Sequence, residues 1–118
     1  LQNFEITTET TSDYLLIRQS GYFNAEAAVE FSSIISGALE SGKCNFIVNL
    51  ENCSSVNSPA VAHILDLCLQ IVEDHHGAIV IFGLNNLKKS FFEMAGIFPL
   101  ASSTNSFEEA VLIINQLA

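Results

Sequence analysis

The chain has 118 residues, 49% of them hydrophobic and 14% charged, with 2 Pro and 6 Gly, which is the length of one domain and excludes disorder, collagen-like repeats and low complexity. Acidic residues outnumber basic ones 13 to 4, a formal net charge of −9. Nucleic acid and anionic membrane surfaces would therefore be repelled, while a partner with a basic face is favoured.

The three cysteines, Cys44, Cys53 and Cys68, lack C-x-x-C spacing, which argues against a disulfide framework or a zinc knuckle and for a reducing compartment. Leu1-Gln2-Asn3-Phe4 shows no basic-then-apolar leader, and no apolar run approaches the roughly 18 residues of a membrane span. A cytoplasmic protein without membrane insertion is expected.

In chain order, residues 4–8 and 14–19 carry β-branched and aromatic positions around the polar stretch 10–13, which predicts an opening hairpin. From Asn24 onward Ala28, Phe31, Ile35, Ala38 and Leu39 recur at helical spacing, with Asn24 as cap and Gly42 as stop. Residues 44–50 form a nearly continuous apolar run, as in a strand covered on both faces, and 51–57 read as a loop. Ser58-Pro59 opens a second helix that buries Ile64, Leu65, Cys68 and Ile71 and closes at His75-His76-Gly77. Residues 78–82 are the next buried strand, so a strand–helix–strand unit with parallel strands is expected.

A third helix is marked by Leu87, Phe91 and Met94 as its core stripe and ends at Gly96; Phe92 faces away from that stripe beside Lys88 and Lys89, either as a second core contact under the sheet edge or as an interaction patch. Residues 97–101 suggest a short edge strand interrupted by Pro99. Ser106 and Glu109 fit a capping box ahead of a terminal helix with Ala110, Val111, Ile114 and Leu117 inward.

Ser58 is the strongest local feature. Pro59 at the first helical position would push Ser58 toward the extended conformation of an N-cap, which is worth about 1 kcal/mol. A phosphate there would meet the positive end of the helix dipole and enlarge the charge of an acidic surface. The pair His75-His76 points two ways on a helix and has no third ligand at a useful spacing, so no metal is expected. Cys53 has no neighbouring cation in sequence to favour a thiolate, and no phosphate loop, H-E-x-x-H or G-x-S-x-G is present. Neither intrinsic enzymatic activity nor a cofactor is expected.

The order of elements, the run Phe46-Ile47-Val48-Asn49-Leu50, the loop ending in Asn57-Ser58 and the stretch from Lys88 to Phe98 resemble the STAS domain of bacterial anti-sigma factor antagonists. The resemblance covers nearly the whole chain and implies an α/β fold, a small mixed β-sheet flanked by about four helices. It implies a non-enzymatic regulator that sequesters an anti-sigma factor serine kinase, is phosphorylated by it at Ser58 and is reset by a serine phosphatase. Asn24, Asn57, Ser58 and Pro59 are then the partner-binding positions. Where the family usually has Asp before the serine, and Asp in Gly-x-x-Asp after the second strand, this chain has Asn57 and Asn24. Pro59 and Ala60 replace a small hydroxyl residue and Gly. The two amides also suit a second reading, a non-switching adaptor subunit of a lipid-transport or stress-signalling complex.

Overall fold

A computed structural model describes residues 3–117; Leu1, Gln2 and Ala118 lie outside the described residues. The expected hairpin is present and longer than its apolar signal, with β1 (Phe4–Thr10) antiparallel to β2 (Leu15–Phe23). Helix α1 (Ala25–Glu40) begins where the Asn24 side chain accepts the Ala27 N–H at 2.9 Å. It ends where Gly42 turns to φ +95°, so that the Lys43 N–H reaches back to the Ala38 carbonyl at 2.9 Å. That left-handed turn favours glycine.

Strand β3 (Asn45–Asn49) is parallel to β2 on one side and to β5 (Ala78–Phe82) on the other, the parallel pairing that the strand–helix–strand pattern predicts. Both strands are buried on two faces. Phe46, Val48, Ile79 and Ile81 face α1 and α2, while Ile47, Val80 and Phe82 face the last helix.

The segment read as a loop contains a further strand, β4 (Cys53–Val56), parallel to the second half of β2. The nine-residue β2 is long enough to pair with β3 through Arg18 and with β4 from Gly21 onward. Sheet order is β1-β2-β3-β5-β6, with β4 beside β2 beyond the end of β3. Only Cys53 of β4 is buried, so no apolar run announces it.

The connection from β3 to β4 is held against β5 by the Leu50 N–H donating to the Phe82 carbonyl at 2.9 Å. Gly83, at φ +91°, follows, and a Cβ there would run into the backbone of Glu51. Gly83→Ala is expected to cost about 1–3 kcal/mol, read as a lowered denaturation midpoint.

Helix α2 (Ser58–Leu69) continues as a π turn over Gln70–Asp74 and ends at His75 and His76, the latter at φ 54°. Helix α3 (Asn86–Met94) is where the sequence reading inverts. Phe92 is fully buried, whereas Leu87, Phe91 and Met94 are 65%, 46% and 84% exposed. Residues 97–101 form a turn, and the edge strand lies after them as β6 (Ser102–Thr104), parallel to β5. The Ser106 hydroxyl accepts the Glu109 N–H at 3.2 Å at the start of α4 (Phe107–Leu117), as the capping box predicts. Ala110 and Ile114 of α4 are buried, while Leu117 is exposed rather than inward. Helices α1, α2 and α3 cover one sheet face and α4 the other, which is the expected mixed sheet with four helices.

Candidate functional site

Strands β2 and β4 end side by side, with Phe23 opposite Val56, and the Asn57 N–H donates to the Phe23 carbonyl at 3.2 Å. The residue after each strand is the N-cap of a helix. Asn24 caps α1, and Asn57 caps α2 by accepting the Ala60 N–H on its Oδ1 at 3.0 Å. The fold thus brings Asn24, Asn57, Ser58 and Pro59, all proposed from sequence, to one end of the sheet.

Their roles differ from expectation at one position. Asn57, not Ser58, is the cap; Ser58 is the first helical residue and Pro59 the second. Both Asn and Ser can cap, and Pro is tolerated in either of the first two helical positions because neither N–H has an intrahelical partner. The sequence pattern alone therefore fits either register. Asn57→Ala is expected to cost about 0.5–2 kcal/mol, while Ser58→Ala at this exposed position stays within about 0.5 kcal/mol, both read by denaturant unfolding.

This also accounts for the amides. Asn and Asp are nearly equal as N-caps, so Asn24 and Asn57 keep the helix-starting hydrogen bond and drop the negative charge.

Beside Ser58 runs a groove of about 570 Å³ between α2 and α3, lined by Val56, Asn57, Ser58, Val61, Ala62 and Leu65 on one side and by Phe91, Met94 and Ala95 on the other. None of these nine side chains is charged. The net charge of −9 therefore lies elsewhere on the surface, and the groove is an uncharged apolar strip on an acidic protein. Sequence reasoning missed α3's contribution because it turned Phe91 and Met94 inward. No charge in the sequence separates the two sides, because Lys88 lies at i, i+3 from Phe91 and at i, i+4 from Phe92.

The other candidates separate from this site. Burial pushes the Cys53 thiol up, and the Lys88 ammonium, brought near by the fold, opposes that only partly. A neutral buried thiol is a poor nucleophile. Among the described residues, no three His, Cys, Asp or Glu side chains are grouped to hold a metal, His75 and His76 included, and no helix is long and apolar enough to cross a membrane.

Cys68 is fully buried, and its thiol is pushed from an ordinary 9.0 up to about 12 by desolvation. The folded state then holds this proton while the unfolded state releases it. The stability this contributes is complete below pH 9 and is lost as pH rises toward 12. Unfolding midpoints measured from pH 8 to 11 should fall, and less steeply in Cys68→Ala.

No family model matches the chain, and no curated protein matches it in sequence. Solved structures do match in fold. The anti-sigma factor antagonist SpoIIAA in its unphosphorylated form aligns over 95% of this chain and 98% of its own, at TM-score 0.75 and 19% identity. The Bacillus cell fate determinant SpoIIAA in its phosphorylated form gives 0.73 at 21% identity, covering 93% and 99%. An anti-sigma factor antagonist from Mycobacterium paratuberculosis gives 0.81 at 8% identity, covering 95% and 94%. The STAS fold expected from the sequence is the fold observed.

Proposed function

We propose that the chain, which has the fold of the anti-sigma factor antagonists, acts as one: a protein-binding regulator, without catalytic activity of its own, that sequesters an anti-sigma factor serine kinase and is switched by phosphorylation at Ser58. The observation that carries this reading is the division of labour at the start of α2. Asn57 holds the cap, so the exposed Ser58 hydroxyl is not needed for it. Modification there leaves the helix start intact.

A phosphate on Ser58 brings a charge of about −2 to the rim of an otherwise uncharged groove, beside the positive end of the α2 dipole. The fold tolerates that charge, and an apolar docking surface does not. A serine phosphatase would restore the first state.

Incubation of the protein with ATP and the anti-sigma factor serine kinase of the same genome, followed by phosphopeptide mass spectrometry, tests the reading. Phosphoserine is expected at Ser58 and absent in Ser58→Ala. If no phosphoserine forms and the kinase does not bind, the adaptor reading, which the two amides also suit, replaces the switch.

A further inference from the structure

Strand β1 is an outer edge of the sheet, paired to β2 alone. Two hydrogen bonds just beyond its ends fix which of its amides take part in that pairing. The Tyr22 N–H donates to the Asn3 carbonyl and the Thr11 N–H to the Tyr14 carbonyl, each at 2.9 Å. In an antiparallel pair alternate residues bond across, so Glu5, Thr7 and Glu9 bond to β2, while Phe4, Ile6, Thr8 and Thr10 turn their N–H and C=O groups outward. Among the described residues, no backbone group pairs with that outward row.

Proteins ordinarily blunt such an edge by keeping it short or by placing proline, lysine or a bulge in it. The opposite edge, β6, has only three residues. Strand β1 has seven, Phe-Glu-Ile-Thr-Thr-Glu-Thr, in unbroken register with β2 and without proline, glycine or a basic residue. At about 3.4 Å per residue it offers about 24 Å of open edge.

Charge decides what can pair there. Phe4 and Ile6 pack on the core, which leaves Glu5, Thr7 and Glu9 exposed on the other face of the strand. Thr7 lies opposite Arg18 of β2, and Glu51 and Glu108 join Glu9 and Arg18 in one depression of about 340 Å³. With Glu5, which borders Arg18 on its other side, four carboxylates accompany one cation at this edge. Such an edge rejects a second copy of the chain. Two β1 strands paired antiparallel about Thr7 would set Glu5 of each copy directly opposite Glu9 of the other, and no register of β1 on itself supplies a cation.

We propose that the open edge of β1 receives an extended basic segment of a protein partner as an added strand, with lysine or arginine side chains four residues apart opposite Glu5 and Glu9. Backbone hydrogen bonds to the outward row supply the attachment, and the two carboxylates supply the selection. About seven residues of the partner suffice. No residue of β1 lines the groove beside Ser58, so this surface is separate from it and does not rest on the Ser58 switch.

The test uses the full chain and three labelled, end-blocked peptides followed by fluorescence anisotropy. The first, Thr-Lys-Val-Thr-Val-Lys-Thr, carries both lysines on one face of a strand. The second, Thr-Lys-Val-Thr-Lys-Val-Thr, has the same composition with the lysines on opposite faces, so the pull of the net charge of −9 is equal for both. The third replaces the lysines of the first with glutamates. The first is expected to bind at least about threefold tighter than the second, and the glutamate peptide more weakly than either. In Glu5→Gln/Glu9→Gln protein, altered only at exposed positions, the two lysine peptides should bind alike. Amide hydrogen exchange at Ile6, Thr8 and Thr10, read by NMR, should slow by at least about tenfold when the first peptide binds, because those N–H groups face outward. Absence of binding, equal affinity of the two lysine peptides, a preference that survives in the glutamine variant, or unchanged exchange at those three amides would each overturn the proposal. So would protection of the same amides by self-association without peptide, which would make a second copy the occupant.

Discussion

Phe92→Ala is expected to remove about 3–5 kcal/mol of stability, and Phe91→Ala less than about 1 kcal/mol, although the two residues are adjacent on one short helix. Phe92 is fully buried beneath α3, with its ring 6.3 Å from that of Phe98. Truncating it loses a large apolar burial and leaves a cavity that the neighbouring strands and helices cannot fill. Phe91 is nearly half exposed and lines the groove, so its truncation removes contact surface rather than core. Denaturant unfolding of the two variants separates these outcomes. Equal losses would mean that α3 is rotated from the orientation described and that the groove is not open.

Ser58→Asp is expected to leave the fold intact and to weaken kinase binding by about 30- to 1,000-fold, the range of about 2–4 kcal/mol for a charge desolvated without a partner at an interface. Stability should be unchanged or slightly raised, because a carboxylate in the first turn of α2 meets the positive end of the helix dipole. The Asn57 cap is untouched in this variant. Calorimetric titration read beside a melting curve distinguishes lost binding from lost folding. A variant that folds and binds as the parent does would remove Ser58 from the interface.

Much of this arrangement is legible in the sequence because periodic burial dictates it. The hairpin, the doubly covered strands β3 and β5, and helices α1, α2 and α4 carry apolar spacing that matches most of their contacts, with Leu65 at the groove and Leu117 in solvent as exceptions. Strands β4 and β6 carry none. Their sequences, Cys-Ser-Ser-Val and Ser-Ser-Thr, become strands only by pairing with β2 and β5, a tertiary fact that no local window contains. Helix α3 misleads in the opposite way. Its stripe of Leu87, Phe91 and Met94 has core spacing, yet the side carrying Phe92 meets the core. The outward Phe91 and Met94 line the groove beside α2, so this inversion is what forms its second wall.

At the site itself, helix caps and proline have strong positional preferences, so the two helix starts at Asn24 and near Ser58-Pro59 are legible, whereas their grouping as one site comes from the family resemblance. The one-residue shift from Ser58 to Asn57 as cap is not legible, since both side chains offer an oxygen to the same N–H groups. Asn57 keeps its hydrogen bond to the Ala60 N–H whether or not Ser58 is modified.

In the proposed switch, Ser58 gates a docking surface without controlling the fold. The most direct measurement is the affinity of the anti-sigma factor serine kinase for the chain before and after stoichiometric phosphorylation at Ser58, with both forms melted in parallel. Binding by the unmodified form is expected, with affinity lower by at least about tenfold for the phosphorylated form and melting temperatures within about 4 °C of each other. Equal affinity of the two forms, at unchanged melting temperature, would contradict it.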